Sequence, residues 1–356
     1  MPKIAIWILL LVILILRIFL YQVNLPKFSE DSVVRISAYL REDPVIYARS
    51  QKVILQGIKV YLPFYPQVSY GDYLVVQGKV QKGRLIQTKI LEHKQSDNPL
   101  NNFRKNLFDV YKQSLPTDFA GLVSGVSLGS KSLISKDLYE KLIKTGTVHV
   151  VVASGMNVTL ITKFVLNLLI GMLNRKIAVV FACLFAWWYA FLVGFEAPIV
   201  RATLMATIAF SALELGRLNE SLRALFLTGF AMLFFNPQWV HDLGFYLSFA
   251  STSSLIVLSK PFYDRLSFVP AFFRENFANS LVAQIGVSPI LIYFFGWVNI
   301  FSPVINALVL WTIVPITIMG LIGGFVGIVN ISIGTFILYL TIPLSWVFLS
   351  VIDLFA

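Results

Sequence analysis

Charged residues, cysteines and histidines are all scarce in this sequence. Charged side chains make up 13% of the 356 residues and hydrophobic ones 57%, whereas a soluble domain carries about 25% charged residues. The single cysteine, Cys183, excludes an intrachain disulfide. The three histidines, His93, His149 and His241, lie far apart without metal-ligand spacing, so we expect no metal site. The composition therefore predicts a membrane protein.

Acidic residues are the scarcer of the two kinds of charge. The chain has 18 Asp and Glu against 29 Lys and Arg, a net charge of +11. This excess suits an anionic partner, either lipid headgroups or the backbone of a nucleic acid. A phosphate-binding loop of the Gly-x-x-x-x-Gly-Lys-Ser/Thr kind is also missing. We therefore expect that the chain consumes no ATP itself and uses no cofactor.

The chain begins with an apolar run that is long enough to cross a membrane. The apolar run follows Lys3 and fills most of residues 1–23. These residues predict an uncleaved transmembrane anchor. A cleaved signal peptide is the alternative, but no small-x-small cleavage site follows the run.

Residues 24–98 change character and predict a domain of short strands. Apolar and polar positions alternate in five runs, at 32–39, 52–55, 58–62, 73–80 and 84–91. A period of two predicts half-buried strands, and five short strands fit a small all-β, OB-like barrel. Such barrels often bind oligonucleotides, but a spacer or cap with a basic surface is an alternative of equal standing.

The rest of the chain is predicted to be helical and becomes apolar at residue 148. Residues 99–147 combine helical spacing of apolar positions with Lys and Arg, which predicts amphipathic helices at the membrane surface. Residues 148–356 predict a polytopic α-helical membrane bundle. The predicted spans are 148–173, 177–194, 200–215, 224–235, 243–258 and 281–295. Two or three more helices follow, with breaks near Pro315, between Gly320 and Gly327, and near Pro343.

Basic residues in the short loops predict the orientation of the bundle. One set of loops holds seven basic residues, which are Arg175, Lys176, Arg217, Arg223, Lys260, Arg265 and Arg274. The alternate loops, 195–199, 236–242 and 296–300, hold none. Because cytoplasmic loops are enriched in Lys and Arg, residues 24–147 are predicted to be extracytoplasmic. The protein would then be a multi-pass protein of the inner (plasma) membrane, in contact with its lipids.

Polar side chains interrupt the apolar helices at several points. Residues 144–161 and 236–254 carry hydroxyl, amide and imidazole groups among Val, Leu and Phe, and Arg201 lies in another apolar stretch. Polar groups in hydrocarbon normally face a protein interior or a wet cavity, so these helices are predicted to share a polar path. The candidate residues of the path are His149, Ser154, Gly155, Asn157, Arg201, Asp242, Phe245, Tyr246, Ser248 and Gln284. Pro289 is predicted to break its helix.

These residues also have plainer interpretations. Arg201 could be an interfacial anchor paired with Glu196, the hydroxyls could join helices, and the aromatic residues could form an interfacial belt. His149 and Ser154 suggest a base and a nucleophile, but their spacing of five is unfavourable for contact on a helix. We therefore predict no catalytic residue, and an intramembrane serine hydrolase is the third hypothesis.

Four separate motifs resemble one known family. They are Lys144-Thr-Gly with His149, Ser154-Gly155 and Val158; Arg201-Ala202 with Met205; Asn236-Pro with Asp242, Phe245 and Ser248-Phe249; and Ser280-Leu with Gln284 and Pro289. In this order the motifs resemble the ComEC competence family, over residues 100–330.

The resemblance implies an inner-membrane channel that admits one strand of transforming DNA. The family usually has His where Asn157 stands and Gln where Tyr246 stands, which implies altered chemistry in the path. Longer members carry a C-terminal metallo-β-lactamase-like domain thought to degrade the other strand, whereas this sequence ends at Ala356. We therefore expect a separate nuclease, together with a DNA receptor and a cytoplasmic helicase-type motor.

A transporter for a small solute or a lipid-linked substrate is the second hypothesis. Broken helices with polar groups near the membrane midplane are typical of transporters as well as of channels.

Overall fold

The computed structural model describes residues 2–24, 29–40, 44–46, 50–66, 68–81, 83–152, 154–214 and 221–356. In chain order the helices are α1 (Pro2–Val23), α2 (Pro99–Ser114), α3 (Thr117–Leu128), α4 (Lys136–Thr145), α5 (Val148–Val151), α6 (Gly155–Ile170), α7 (Arg175–Val193), α8 (Ala197–Glu214), α9 (Ser221–Phe235), α10 (Leu243–Arg265), α11 (Ala271–Phe295), α12 (Ser302–Val329), α13 (Ile331–Tyr339) and α14 (Ile342–Phe355). A 3-10 helix, Pro237–His241, connects α9 to α10.

A small β sheet lies between α1 and α2 in the chain. Its strands are β1 (Val33–Tyr39), β2 (Val45–Ile46), β3 (Ser50–Leu55), β4 (Ile58–Pro63), β5 (Tyr73–Gln81) and β6 (Arg84–Lys94). They pair in the order β1-β5-β6-β4-β3-β2. The pairs are antiparallel except β4 with β6, which is parallel at Val60 and Leu85.

The alternation in the sequence accounts for these strands. Every second side chain of β4 and β5 enters one apolar core, in which Val60, Leu62, Leu74 and Val76 are almost inaccessible to solvent. The sheet has six strands within the described residues, one more than predicted, because β2 adds a two-residue edge against β3. Closure into an OB-like barrel remains a prediction.

Helix α12 is the centre of the helical bundle. It packs against α2, α3, α5, α6, α11, α13 and α14. Four helical stretches in the described residues are long and apolar enough to cross a membrane: Val148–Ile170, Arg175–Val193, Ala271–Phe295 and Ser302–Val329. Helices α13 and α14 together make a fifth candidate, bent by 47°. The polytopic helical class predicted from composition agrees with this architecture.

Two of the breaks predicted after residue 302 do not occur. Helix α12 continues through Pro315 and through the segment from Gly320 to Gly327. A proline is tolerated there because neighbouring helices pack around the freed backbone carbonyl, and the glycines act as packing positions. The break near Pro343 is present, since α13 ends at Tyr339 and α14 begins at Ile342.

Helix α3 lies inside the bundle, although it belongs to the region predicted to be interfacial. All its residues from Ala120 to Leu128 are buried. Its small residues allow close approach: a Cβ on Gly121 would meet the Leu133 carbonyl oxygen at 2.7 Å, and Gly125 lies against Val151. A helix can therefore be central here without many long apolar side chains.

The crossing of α12 and α13 yields a test of this packing. A Cβ on Gly334 would clash with the backbone of Gly327, which cannot move aside as a side chain can. We expect Gly334→Ala to lower the stability of the detergent-purified protein by about 1–3 kcal/mol, as overpacking typically does. The measurement is the apparent melting temperature.

Gly171→Ala is the matched control for that substitution. The nearest atom to a Cβ there is the Leu168 carbonyl oxygen at 3.5 Å, an ordinary van der Waals contact. Equal melting temperatures for the two variants would contradict the close α12–α13 crossing.

Candidate functional site

Arg201 occupies the centre of the candidate site, on α8. Its Nε donates a hydrogen bond to Ser248 Oγ at 2.6 Å, and its Nη1 contacts Met205 Sδ at 3.4 Å. Within the part of the chain that the structure describes, no carboxylate lies within ion-pair distance of the guanidinium, so the alternative pairing with Glu196 is absent there. A half-buried cation among apolar helices is stabilised by water or an anion, and neutral Ser248 supplies no charge. The guanidinium is therefore suited to an anionic ligand.

A break in the helical path positions Ser154 and Gly155 beside this cation. Helix α5 ends at Val151, and α6 begins at Gly155. Ser154 is the N-cap of α6, and its Oγ accepts a hydrogen bond from the Asn157 backbone N at 3.3 Å. A Cβ on Gly155 would lie 2.6 Å from Arg201 Nη2, so only glycine permits this approach. The partial positive charge of the α6 N-terminus thus adds to that of the guanidinium.

Asn157 joins α6 to α3 in the interior of the bundle. The residue is 2% exposed, and its Nδ2 donates to the Val126 carbonyl oxygen at 2.9 Å. Its Oδ1 is buried and has no hydrogen-bond partner among the described residues. The side chain therefore fixes the position of the helix break, and its carbonyl group is an unsatisfied acceptor in the interior.

Ser248 is the hydroxyl of α10 that reaches another helix. It is 8% exposed and accepts from Arg201 across the α8–α10 contact. The next hydroxyls bond within α10: Ser251 and Thr252 donate to the Ser248 carbonyl oxygen, and Ser253 donates to the Phe249 carbonyl oxygen. The hydroxyls of residues 251–253 therefore do not join α10 to another helix, contrary to the alternative interpretation.

The start of α10 holds Asp242, Phe245 and Tyr246 in three different environments. Asp242 is the N-cap, and its Oδ1 accepts from the Gly244 backbone N at 2.7 Å. Phe245 is 8% exposed, and its ring lies 4.4 Å from that of Phe249 in a small apolar cluster. Tyr246 is 43% exposed, and its hydroxyl donates to the Val240 carbonyl oxygen at 2.7 Å.

Pro289 lines a cavity beside Tyr246 but does not break its helix. The cavity has a volume of about 570 Å³, and its lining also includes His241, Leu243 and Tyr293. The predicted break is wrong, because α11 runs without interruption from Ala271 to Phe295. Ser288, the residue directly before Pro289, donates its hydroxyl to the Gln284 carbonyl oxygen at 2.6 Å. Prolines are tolerated inside membrane helices where the surroundings satisfy the freed backbone group.

Gln284 belongs to a second polar cluster, which connects α4, α11 and α12. Its Nε2 donates to the Asn299 carbonyl oxygen at 2.6 Å, and Asn299 Nδ2 donates to the Lys144 carbonyl oxygen at 2.5 Å. Ser302 Oγ donates to the Gly146 carbonyl oxygen at 3.4 Å. The cluster therefore fastens the Lys144-Thr-Gly turn to the corner between α11 and α12.

His149 follows that turn and lies on α5. Its side chain is exposed, and α5 packs against α3, α4 and α12. The structure thus joins Gly155, Arg201 and Ser248 directly and places Gln284 in the second cluster. Sequence reasoning missed Asn299 and Ser302 of the second cluster. The signal available was their polarity in and next to the loop 296–300, which has no basic residue.

Fold and site together define a helical bundle that has a cation inside it and several helices long and apolar enough to cross a membrane. The chain belongs to the ComEC family of competence proteins, since the family model described as "Competence protein" matches residues 126–356. It is 28% identical over 253 residues to ComE operon protein 3 of Bacillus subtilis (strain 168), a match that covers 69% of this chain and 32% of the relative.

Two further relatives are similar at the same level. An uncharacterized protein of Aquifex aeolicus (strain VF5) is 26% identical over 66% of this chain and 56% of its own length. Competence protein ComA of Neisseria gonorrhoeae is 26% identical over 57% of this chain and 30% of its own length. The chain thus spans between about a third and just over half of these relatives. No solved structure matches the chain.

The missing carboxylate at Arg201 leads to a stability prediction. We expect Arg201→Met to leave the apparent melting temperature of detergent-purified protein unchanged or to raise it. Replacing a desolvated charge by an apolar side chain is often neutral or stabilising by about 1–4 kcal/mol.

Arg104→Met is the control for that prediction. Arg104 is 5% exposed, and its guanidinium carbon lies 5.0 Å and 5.5 Å from the ring centroids of Tyr70 and Phe108. Losing these cation–π contacts lowers the melting temperature. A fall of similar size in both variants would identify Arg201 as a structural residue.

Proposed function

We propose that the protein is a component of an inner-membrane channel that passes single-stranded DNA into the cytoplasm during natural transformation. The observation that carries this proposal is the Arg201 guanidinium, held among apolar helices by a neutral hydroxyl at 2.6 Å. A DNA strand supplies the anion that such a cation favours, because guanidinium binds phosphate through two parallel hydrogen bonds. The competence protein ComA among its relatives supports DNA as the cargo.

The site suits transient binding of phosphates along a moving strand. Conduction requires attraction that is strong enough to admit an ion but weak enough to release it. Arg201 and the N-terminus of α6 attract each phosphate, and Ser248 holds the guanidinium when no phosphate is bound. In the described structure Gly155 of α6 packs closely against two parts of α8, the Arg201 guanidinium and the Pro198 carbonyl oxygen. Passage of a strand therefore needs α6 and α8 to separate.

Three contacts support the proposed orientation of the chain. Gly194, at the end of α7, lies against the ring of Tyr70 in the β region. Asn299, in the loop between α11 and α12, bonds to Lys144, and Arg17 near the end of α1 bonds to the Phe234 carbonyl oxygen. The first two contacts each join a segment proposed to be extracytoplasmic with the outer end of a helix, and the third joins the proposed outer ends of α1 and α9. The loops rich in Lys and Arg then face the cytoplasm.

The proposed function involves no covalent chemistry by this chain. The Ser154 hydroxyl serves as a helix cap, which gives it a structural role apart from nucleophilic attack. We propose that strand degradation and the driving force come from other polypeptides, namely a nuclease, a DNA receptor and a cytoplasmic motor. The family relationship does not favour the alternative of a small-solute or lipid-linked transporter.

Uptake of labelled DNA tests the proposal in a naturally transformable host that lacks its own copy of the protein. Complementation with the wild-type chain should restore labelled DNA in the cytoplasm, and Arg201→Ala should reduce it at least tenfold. The substitution removes the cation that offsets the cost of burying a phosphate. A tenfold reduction corresponds to a free-energy change of about 1.4 kcal/mol. Arg201→Lys should restore uptake only in part, because an ammonium group binds phosphate without the bidentate geometry.

Lys176→Ala is the matched control, since this exposed lysine lies in the first turn of α7, at its proposed cytoplasmic end and outside the path. It should take up DNA as the wild type does. Normal uptake by Arg201→Ala, at equal protein level in the membrane, would reject the role of Arg201. Normal uptake in the host without any copy of the protein would reject the proposed function itself.

A further inference from the structure

A cavity of about 540 Å³ lies where the β region meets the helical bundle. Its lining comes from the end of β1, the turn before β5, the linker between β6 and α2, and the C-terminal end of α7. The residues that define it are Tyr39, Tyr70, Tyr73, Lys94, Asn101 and Phe191. None of these residues belongs to the polar path predicted from the sequence, and the Arg201 site does not use them.

The aromatic rings of this cavity are arranged to accept a further planar group. Tyr39 and Tyr73 are cross-strand partners, with ring centroids 5.1 Å apart. Tyr39 is nevertheless 65% exposed, so most of its ring surface has no protein neighbour. Phe191 is 43% exposed on the opposite, helical wall. The Arg104 guanidinium, 5.0 Å from the Tyr70 ring, holds that ring in place from behind.

Hydrogen bonds to Asp72, which lies next to the lining residues Gly71 and Tyr73, fix part of the cavity wall. Asp72 is 4% exposed and accepts three hydrogen bonds, from His93 Nε2 at 2.8 Å, the Ser69 backbone N at 2.9 Å and the Ser96 backbone N at 3.0 Å. Asn101, on α2, donates to Ser96 Oγ at 2.6 Å. These bonds connect the sheet to α2 and fix the part of the lining that the sheet, the linker and α2 supply. A preformed site loses little conformational freedom when a ligand binds.

The charges around the cavity determine which part of a ligand can enter it. Lys94 pairs with Tyr73 in the sheet register, and its side chain is exposed at the rim. Asp97, also exposed at the rim, disfavours a phosphate inside the cavity. Aromatic walls with a lysine at the edge suit a base that stacks inside while its phosphate stays outside. The amide group of Asn101 adds hydrogen-bonding capacity toward a base edge.

We propose that this cavity is a stacking site for unpaired nucleobases of a single strand, on the outer side of the bundle. This inference rests on the proposed function, which makes single-stranded DNA the cargo. A base would stack on the exposed face of Tyr39, and Lys94 would bind the adjoining phosphate. Duplex DNA is excluded, since its bases are already stacked on each other and cannot reach the ring. The cavity would thus select one strand before it reaches Arg201.

Fluorescence anisotropy of a fluorescein-labelled oligothymidine, titrated with the purified full-length chain, tests the inference. We expect Tyr39→Ala to weaken binding about 5- to 100-fold, the range for loss of one stacked base. Tyr39→Phe keeps the ring and should bind as the wild type does. Lys94→Gln should reduce the slope of log affinity against log salt by about 0.7, as loss of one phosphate contact to a single strand does.

Tyr65→Ala is the matched control, because Tyr65 is 73% exposed in the same region but does not line the cavity. It should bind the oligonucleotide normally. The stacking site would be overturned if Tyr39→Ala bound the oligonucleotide as tightly as the wild type does. It would also be overturned if Tyr65→Ala lost as much affinity as Tyr39→Ala. A wild-type chain that binds the duplex as tightly as the single strand would overturn it as well.

These outcomes are separable from failure of the proposed function. If Tyr39→Ala binds normally while Arg201→Ala still abolishes DNA uptake, the cavity has another role and the channel proposal stands. If the host takes up DNA normally without the protein, the channel proposal fails whatever the binding assay shows.

Discussion

The hydrogen bond between Arg201 and Ser248 is the interaction on which the account depends. A guanidinium in apolar surroundings is costly, and here its partner carries no opposite charge. The neighbouring structure is shaped to tolerate it: the helical path breaks at Ser154, and Gly155 leaves room for Nη2. Such an arrangement has little value for stability. The arrangement has a clear value for transport if a passing anion takes the place of the Ser248 hydroxyl as the partner of the guanidinium.

The remaining polar contacts hold the frame around this cation. Asn157 ties the start of α6 to α3, and Gln284 with Asn299 ties α11 to the end of α4. In the β region, Asp72 fixes the sheet to the linker that precedes α2. Most of these bonds end on backbone carbonyls or amides, so they fix helix ends and turns without placing further charges in the bundle. The side chains that contact the Arg201 guanidinium, Ser248 and Met205, are likewise neutral.

The sequence predicted the helical class and five of the six strands in the described sheet, because period and polarity are local signals. It placed Gly155, Arg201 and Ser248 among ten candidate residues, but it did not show which of the ten meet. It failed where tertiary packing decides. Pro289 and Pro315 do not break their helices, since packing within a helical bundle can tolerate a missing backbone bond. Asn299 was missed because its role depends on contact with Lys144, which is distant in the chain. The burial of Phe245 likewise follows from neighbours on other helices.

The most direct measurement is photocrosslinking to a DNA strand stalled during uptake by a bulky group at its trailing end. A photoreactive phenylalanine analogue replaces Met205, whose sulfur contacts Arg201, or Phe226, which is 65% exposed on α9. If the strand passes the guanidinium, the probe at 205 crosslinks to DNA and the probe at 226 does not. Uptake that proceeds normally with no crosslink at 205, or with equal crosslinking at both positions, would contradict a path along Arg201.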